Sequence, residues 1–258
     1  MSEFRHIEKC MGTVFQYVGY SESSSTEAIA ESVAVLHEAD QTFSLYIPNS
    51  PLSRLARGET NLAELPEIVS FVWDECEKWS ELTDGWFSAM TKENTFDPSG
   101  YVKAWATIEA AKKLTEHGIS DFAINAGGDI LLSNRASNSF PKRVGVANAK
   151  SIAETTEALT VLELADTNFY AVATSGTSER GEHIWNPKSY AQASELKQVT
   201  VIAKDLITAD VLATAIFASG SQAEKLITKF AGEIEVLVID RDSKVFATPG
   251  FSSLVAPV

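Results

Sequence analysis

The stretch Tyr170 to Ser189, YAVATSGTSERGEHIWNPKS, constrains this chain more than any other. Tyr170-Ala171-Val172-Ala173 combines small and β-branched residues and predicts a buried strand. It runs into Thr174-Ser175-Gly176-Thr177, three hydroxyls around a glycine. Such a run is expected to let the backbone approach a ligand closely, with the hydroxyls turned into the same space. A charged tip, Glu179-Arg180-Gly181-Glu182, leads to His183, and Asn186-Pro187 closes the segment as a turn. Of the four histidines, His183 is the one set among turn and glycine residues. Hydroxyls, a glycine hinge and a histidine within ten residues suit chemistry on a phosphate or acyl group. A polar hairpin loop with an exposed histidine would read the same way.

A chain of 258 residues can bury a full core as one domain or as two intimate lobes. Its formal charge of -14 repels polyanions, which excludes a general nucleic-acid binder. A phosphate ligand would need a local offset: a metal ion, a lysine or backbone N–H groups. Cys10 and Cys76 have neither metal nor redox spacing and are expected to be reduced and structural. Met1 to Cys10 carries no apolar export segment, and no run comes near the ~20 apolar residues of a membrane span. The expectation is a cytoplasmic protein without membrane attachment.

Along the chain, Gly12 to Tyr20 predicts a strand with Met11-Gly12-Thr13 at its entrance. Ser24-Ser25-Thr26-Glu27 has capping-box spacing for a helix to about Asp40. Gln41 to Arg54 carries two prolines and predicts a loop. Pro66 opens a helix whose stripe is Ile68, Val69, Val72, Trp73, Cys76 and Trp79. Asp84-Gly85 is a turn. Asp97-Pro98-Ser99-Gly100 caps a helix over Tyr101 to Glu116 with Trp105, Ile108, Ala111 and Leu114 on its apolar face. Lys103 would then lie in the first turn, against the helix dipole, which makes sense beside an anion. Asp121 to Asp129 predicts a strand feeding a double-glycine turn closed by an aspartate; further strands are predicted at 144–147, 159–164 and 199–203, helices at 207–218 and 223–230, and a closing hairpin from 235–240 and 244–248. Strands and helices mix without strict alternation and no linker intervenes. The expectation is α+β, one compact domain over residues 1–258.

Asp210 and Thr214 stand four apart on a predicted helix, so a carboxylate and a hydroxyl share one face. Both are hard oxygen ligands, which suits Mg²⁺ and not zinc. Such pairs usually face solvent, but Val211, Leu212, Ala213, Ala215 and Ile216 leave little polar face to join. Asn125-Ala126-Gly127-Gly128-Asp129 is a glycine turn closed by an aspartate; it lacks the dinucleotide fingerprint and equally fits a plain strand-end turn. His6, His37 and His117 have no ligand spacing and read as structural or exposed.

In order along the chain, Met11-Gly12-Thr13, Phe43-Ser44 to Arg54, Asp84-Gly85, Asp97 to Gly100 with Lys103, Asn125 to Asp129, Thr174 to Pro187 and Ala209-Asp210 to Thr214 form an array. This array resembles the ApbE family, the FAD:protein FMN transferases, from residue 11 to about 217. The resemblance implies a mixed α/β fold with FAD bound in a cleft. It also implies Mg²⁺-dependent transfer of FMN from FAD to a threonine or serine hydroxyl of an acceptor protein. By the same resemblance Asp210 and Thr214 match the metal ligands, and a backbone carbonyl at Gly100 is a candidate third. Met11, Tyr46, Lys103, Gly128, Asp129, Thr174, Ser175, Gly176 and Thr177 match cofactor-binding positions. Lys103 and Asp129 would lie near the flavin and its pyrophosphate, and Tyr46 near the adenine. His183 matches the catalytic histidine.

Two departures stand out. Lys103-Ala104-Trp105-Ala106 replaces the family's lysine-glycine-tyrosine-alanine, and Asn186-Pro187 replaces its frequent Asp-Pro. Two rival activities fit the same array. An FAD pyrophosphatase would use water in place of the protein hydroxyl, and a flavin carrier would not turn over. Intact His183, Asp210 and Thr214 speak against the carrier.

Overall fold

The computed structural model describes residues 1–148, 158–176 and 184–257. The fold is mixed α/β, and the chain divides into two compact units.

The first unit comprises Met1–Gly127 and Ser133–Ser137. Strands β1 (Ser2–Cys10) and β2 (Thr13–Ser21) form a hairpin running from Ser2↔Ser21 to Cys10↔Thr13. Its two-residue turn is Met11-Gly12, with φ of 51° and 66°; a type I′ turn requires this sign at both central residues. Helices α1 (Thr26–Phe43), α2 (Pro51–Ala56), α3 (Glu67–Leu82) and α4 (Ser99–Glu116) follow, and β3 (Asp121–Ala126) pairs antiparallel with β2. Ala28, Ser32, Leu36, Ala39 and Phe43 recur at helical spacing and bury one face of α1. Within it Ser32 Oγ donates to the carbonyl of Ala110 on α4 (2.8 Å) and lies 3.2 Å from the Tyr17 hydroxyl on β2.

The second unit comprises Gly128–Leu132 and Asn138–Val258. Its elements are β4 (Asp129–Leu132), β5 (Arg143–Ala147), β6 (Ala158–Glu163), β7 (Ala171–Gly176), β8 (Leu196–Ala203), α5 (Leu206–Ser219), α6 (Ala223–Lys229), β9 (Ile234–Asp240), β10 (Val245–Ala247) and α7 (Pro249–Ser253). Here β4, β7, β8, β9 and β10 pair antiparallel in that order, while β5 and β6 make a separate pair. Asp205 caps α5, its carboxylate accepting from the amide of Thr208 (2.9 Å), and Gly220 at φ 53° ends it. Nearly every side chain of α5 is buried, and the helix packs on β7 and β8.

Several expectations are corrected. β1 was not foreseen. Helix α1 begins at Thr26 with Ser25 as its cap, which moves Glu27 off the third helical position, so no capping box forms. The supposed loop 41–54 is partly helical: Pro51 occupies the first turn of α2, where no amide is needed, and Ser50 Oγ accepts from the Ser53 amide (2.9 Å). On α4 the buried face is Tyr101, Ala104, Thr107, Ala111 and Leu114, while Trp105 and Ile108 are half-buried. Leu206–Lys229 is long and apolar enough to cross a membrane by length and composition, contrary to the expectation of no such run. In the fold it is the mostly buried α5–α6 segment.

Candidate functional site

In the second unit, Asp210 and Thr214 sit one turn apart on α5, and Asp210 is only 6% exposed. Thr214 Oγ1 lies 3.3 Å from Ser175 Oγ on β7. A carboxylate and two hydroxyls thus occur where α5 packs on the sheet. All three are hard oxygen donors, the chemistry that Mg²⁺ prefers. Among the described residues no three His, Cys, Asp or Glu side chains gather as a metal cluster. A cation here would therefore take one carboxylate and complete its shell from hydroxyls, ligand oxygens or water.

Asp129 opens β4 directly after Gly127 and Gly128, at φ 60° and 98°. Its carboxylate, 3% exposed, accepts the amide of Thr174 (3.0 Å). That charge-assisted bond ties the glycine turn to β7. Thr174 Oγ1 in turn lies 3.0 Å from Thr200 Oγ1 on β8.

The hydroxyls of Thr174 and Ser175 do not share one space, as the sequence led us to expect. β7 continues through Thr174, Ser175 and Gly176, and consecutive strand residues face opposite ways. Thr174 turns to Thr200, and Ser175 turns to Thr214 on α5. Gly176 is close to β8: a Cβ there would meet the carbonyl of Lys197 at 2.9 Å. Thr177 and His183 lie outside the described residues. Asn186 Oδ1 accepts from the amides of Lys188 (2.9 Å) and Ser189 (3.2 Å), so asparagine holds the turn as an aspartate would.

In the first unit, Met11 is a hairpin-turn residue and Tyr46 is 96% exposed. Gly100 is the second residue of α4. Lys103 stands two residues further in than expected, in the second turn, because α4 begins at Ser99; the dipole opposes it less there. Ala104, in place of the family's glycine, is wholly buried, and Trp105 packs edge-on against Phe43 with ring centres 5.9 Å apart. His6 and His37 lie within 3.4 and 3.2 Å of Glu8, and His117 within 3.2 Å of Glu31. Sequence reading missed Thr200 and Gln198. Both are polar residues in or beside the apolar run Val199 to Ala203, the signal that could have found them.

These features define a mixed α/β protein with a buried acidic and hydroxylic helix face against an antiparallel sheet. The chain belongs to the ApbE family, whose sequence pattern matches residues 11–95 and 88–238. The FAD:protein FMN transferase of Vibrio cholerae serotype O1 is 27% identical over 172 residues, 62% of this chain. The matched stretch spans half the length of that relative. Among solved structures, the ApbE protein of Thermotoga maritima superposes with a TM-score of 0.83 at 20% identity, covering 99% of this chain and 100% of its own. The flavin transferase ApbE of Vibrio cholerae gives 0.80 at 21% identity, covering 98% and 99%. Both likenesses bear on the fold.

Proposed function

We propose that this chain is an FAD:protein FMN transferase: it moves FMN from FAD to a threonine or serine hydroxyl of an acceptor protein and releases AMP. The observation that carries it is the oxygen set of buried Asp210 and half-buried Thr214 on α5 with buried Ser175 of β7, in a chain of the ApbE family. The printed name of the Vibrio cholerae relative supports the same reaction.

The acceptor oxygen bonds to the FMN phosphorus, the bridging P–O bond breaks, and its electron pair leaves with AMP. Asp210 and Thr214 would hold Mg²⁺, which when bound offsets negative charge on the pyrophosphate. By the family resemblance, Lys103 would offset part of that charge. Asp129, with its amide bond to Thr174, keeps the glycine turn in shape for FAD bound in a cleft. His183 takes the proton of the attacking hydroxyl, since an alcohol is a poor nucleophile until that proton is removed.

The test is incubation with FAD, Mg²⁺ and a candidate acceptor, read by intact-protein mass. A covalent FMN adduct on the acceptor is expected. Free FMN and AMP without an adduct would make the chain a pyrophosphatase, and unchanged FAD would make it a carrier.

A further inference from the structure

β10 (Val245–Ala247) is the outer strand of the second unit's sheet, with β9 on one side and no described strand on the other. Toward β9, the Asp240 amide donates to the Lys244 carbonyl (3.1 Å) and the Thr248 amide to the Val236 carbonyl (2.9 Å). Antiparallel pairs alternate, so Lys244, Phe246 and Thr248 turn their main chain to β9, and Val245 and Ala247 turn theirs outward. The outer edge thus offers a short row of N–H and C=O groups. All three side chains of β10 are exposed, Val245 at 55% and Phe246 at 57%. Native edge strands are commonly blunted by charge. β1, the outer strand of the first unit, follows that rule with Glu3, Arg5 and Lys9 on its exposed face. β10 does not.

We infer that two copies of this chain pair through β10, antiparallel and about a two-fold axis at Phe246. A row of N–H and C=O groups is complemented by an extended strand, and a second copy supplies the same groups in reverse order. Val245 of each copy then faces the partner's Ala247, each such pair exchanging two main-chain hydrogen bonds. The neighbouring residues allow this register alone. Sliding one way sets Val245 opposite Pro249, which has no N–H. Sliding the other way sets Ala247 opposite Ser243, which has φ 64° and already gives its amide to the Asp240 carbonyl (3.0 Å). The side chains suit the same register: Val245 meets small Ala247 on one face, and Phe246 meets the partner's Phe246 on the other. Lys244 shares the Phe246 face and stands diagonally from the partner's Phe246, in reach of the negative face of its ring. Two-fold pairing uses up the edge, so it closes as a dimer and does not grow into a fibre. Three paired residues a side fall well short of the ~20–30 of a standard interface, so the dimer is weak and reversible, with Kd between about 1 μM and 1 mM.

The inference does not depend on the proposed reaction. Sedimentation equilibrium from about 10 μM to 1 mM should show the wild type passing from monomer toward dimer. Phe246→Lys sets two ammonium groups face to face and should raise Kd by about 10-fold or more, with a thermal melt confirming the fold. Val245→Pro removes an outward N–H and leaves the β9 ladder intact, and it should weaken the dimer by a similar factor. Ile7→Lys, on the exposed face of β1, should leave association unchanged. Cross-linking under mild oxidation reads the register. Facing residues of a non-hydrogen-bonded pair have Cα atoms about 4.5 Å apart, within disulfide reach, so Phe246→Cys should join two copies covalently. Val245→Cys, whose twin stands two positions along the ladder, should not. Nor should the wild type, because Cys10 and Cys76 are buried. A wild type that stays monomeric at about 1 mM overturns the inference and leaves the edge to a strand of another protein. Association that survives Phe246→Lys, or a cross-link in Val245→Cys in place of Phe246→Cys, overturns it as well.

Discussion

Ser175 Oγ of β7 and Thr214 Oγ1 of α5 stand 3.3 Å apart, a polar contact between a strand and the helix packed on it. Burying hydroxyls in such a seam is costly unless they are bonded, and this contact gives one of the two a donor and the other an acceptor. Thr214 stands one turn after Asp210 on the same helix. An oxygen-lined spot on a helix that is apolar nearly all round is best explained by what it binds, and that is the source of the first prediction.

Asp210→Asn is expected to abolish FMN transfer at ordinary Mg²⁺, because a neutral amide leaves the divalent charge uncompensated. The fold should survive, since the amide is nearly isosteric. Mn²⁺ binding followed by electron paramagnetic resonance gives a readout apart from turnover and should weaken sharply. Full activity and unchanged Mn²⁺ binding would remove Asp210 from the site.

Lys103→Ala should weaken FAD binding if the ammonium offsets pyrophosphate charge. The difference from wild type should shrink as salt rises from about 0.01 to 1 M, over which the screening length falls from about 30 to 3 Å. An affinity equal to wild type at low salt would leave Lys103 a structural residue of α4.

Sequence pattern revealed the elements whose periodicity is strong and missed those whose polar residues face inward. The helix over 207–218 and the strand at 199–203 were legible from their apolar runs, and Asp210 stood out because its neighbours are apolar. In β1 the alternation is present, but the inward face reads Phe4, His6, Glu8 and Cys10, so half of it looks like surface. Pro51 read as a breaker because prolines end helices, yet its place in the first turn of α2 lets it start one. The division of labour between Thr174 and Ser175 was hidden for a different reason. It depends on where β7 ends, and strand boundaries follow from pairing with β8, which local sequence does not reveal.

Gly127→Ala should destabilise the protein by about 1–3 kcal/mol. The residue has φ 60°, and an added Cβ would run into the Thr13 side chain. A chemical-denaturation midpoint should fall without change in slope. Adding Thr13→Gly should recover part of the loss by removing the clash, leaving the backbone share. No recovery in the double variant would assign the whole effect to φ.

Burial, and next the charge of Asp40, push the Cys10 thiol up to about 11 from an ordinary 9.0. Its Sγ donates to the Leu36 carbonyl at 3.4 Å. The folded state holds this proton more tightly than the unfolded chain does. The stability it contributes is therefore complete below pH 9 and is lost as pH rises through about 11. Cys76 is shifted upward as well, chiefly by burial, and acts with the same sign. Cys10→Ala should flatten part of the fall in denaturation midpoint between pH 9 and 11, and alkylation of native Cys10 at pH 8 should be slow. Rapid alkylation at pH 8 in the native protein would contradict both the burial and the shift.

His183 is expected to be the general base for the acceptor hydroxyl. It follows the Thr174-Ser175-Gly176-Thr177 run in the chain, with Gly181 before it and Asn186-Pro187 after it. A neutral imidazole can take the hydroxyl proton as the P–O bond forms. His183→Ala should lower the transfer rate by about 10²–10⁴-fold while FAD and Mn²⁺ still bind. In the wild type the rate should fall on acidification as the imidazole is protonated, because the imidazolium has no free lone pair. The variant should lack this acidic limb. Its residual rate should rise with added imidazole, which can supply the missing base from solution. A variant that keeps a near-normal rate and the acidic limb would place the base elsewhere in the chain.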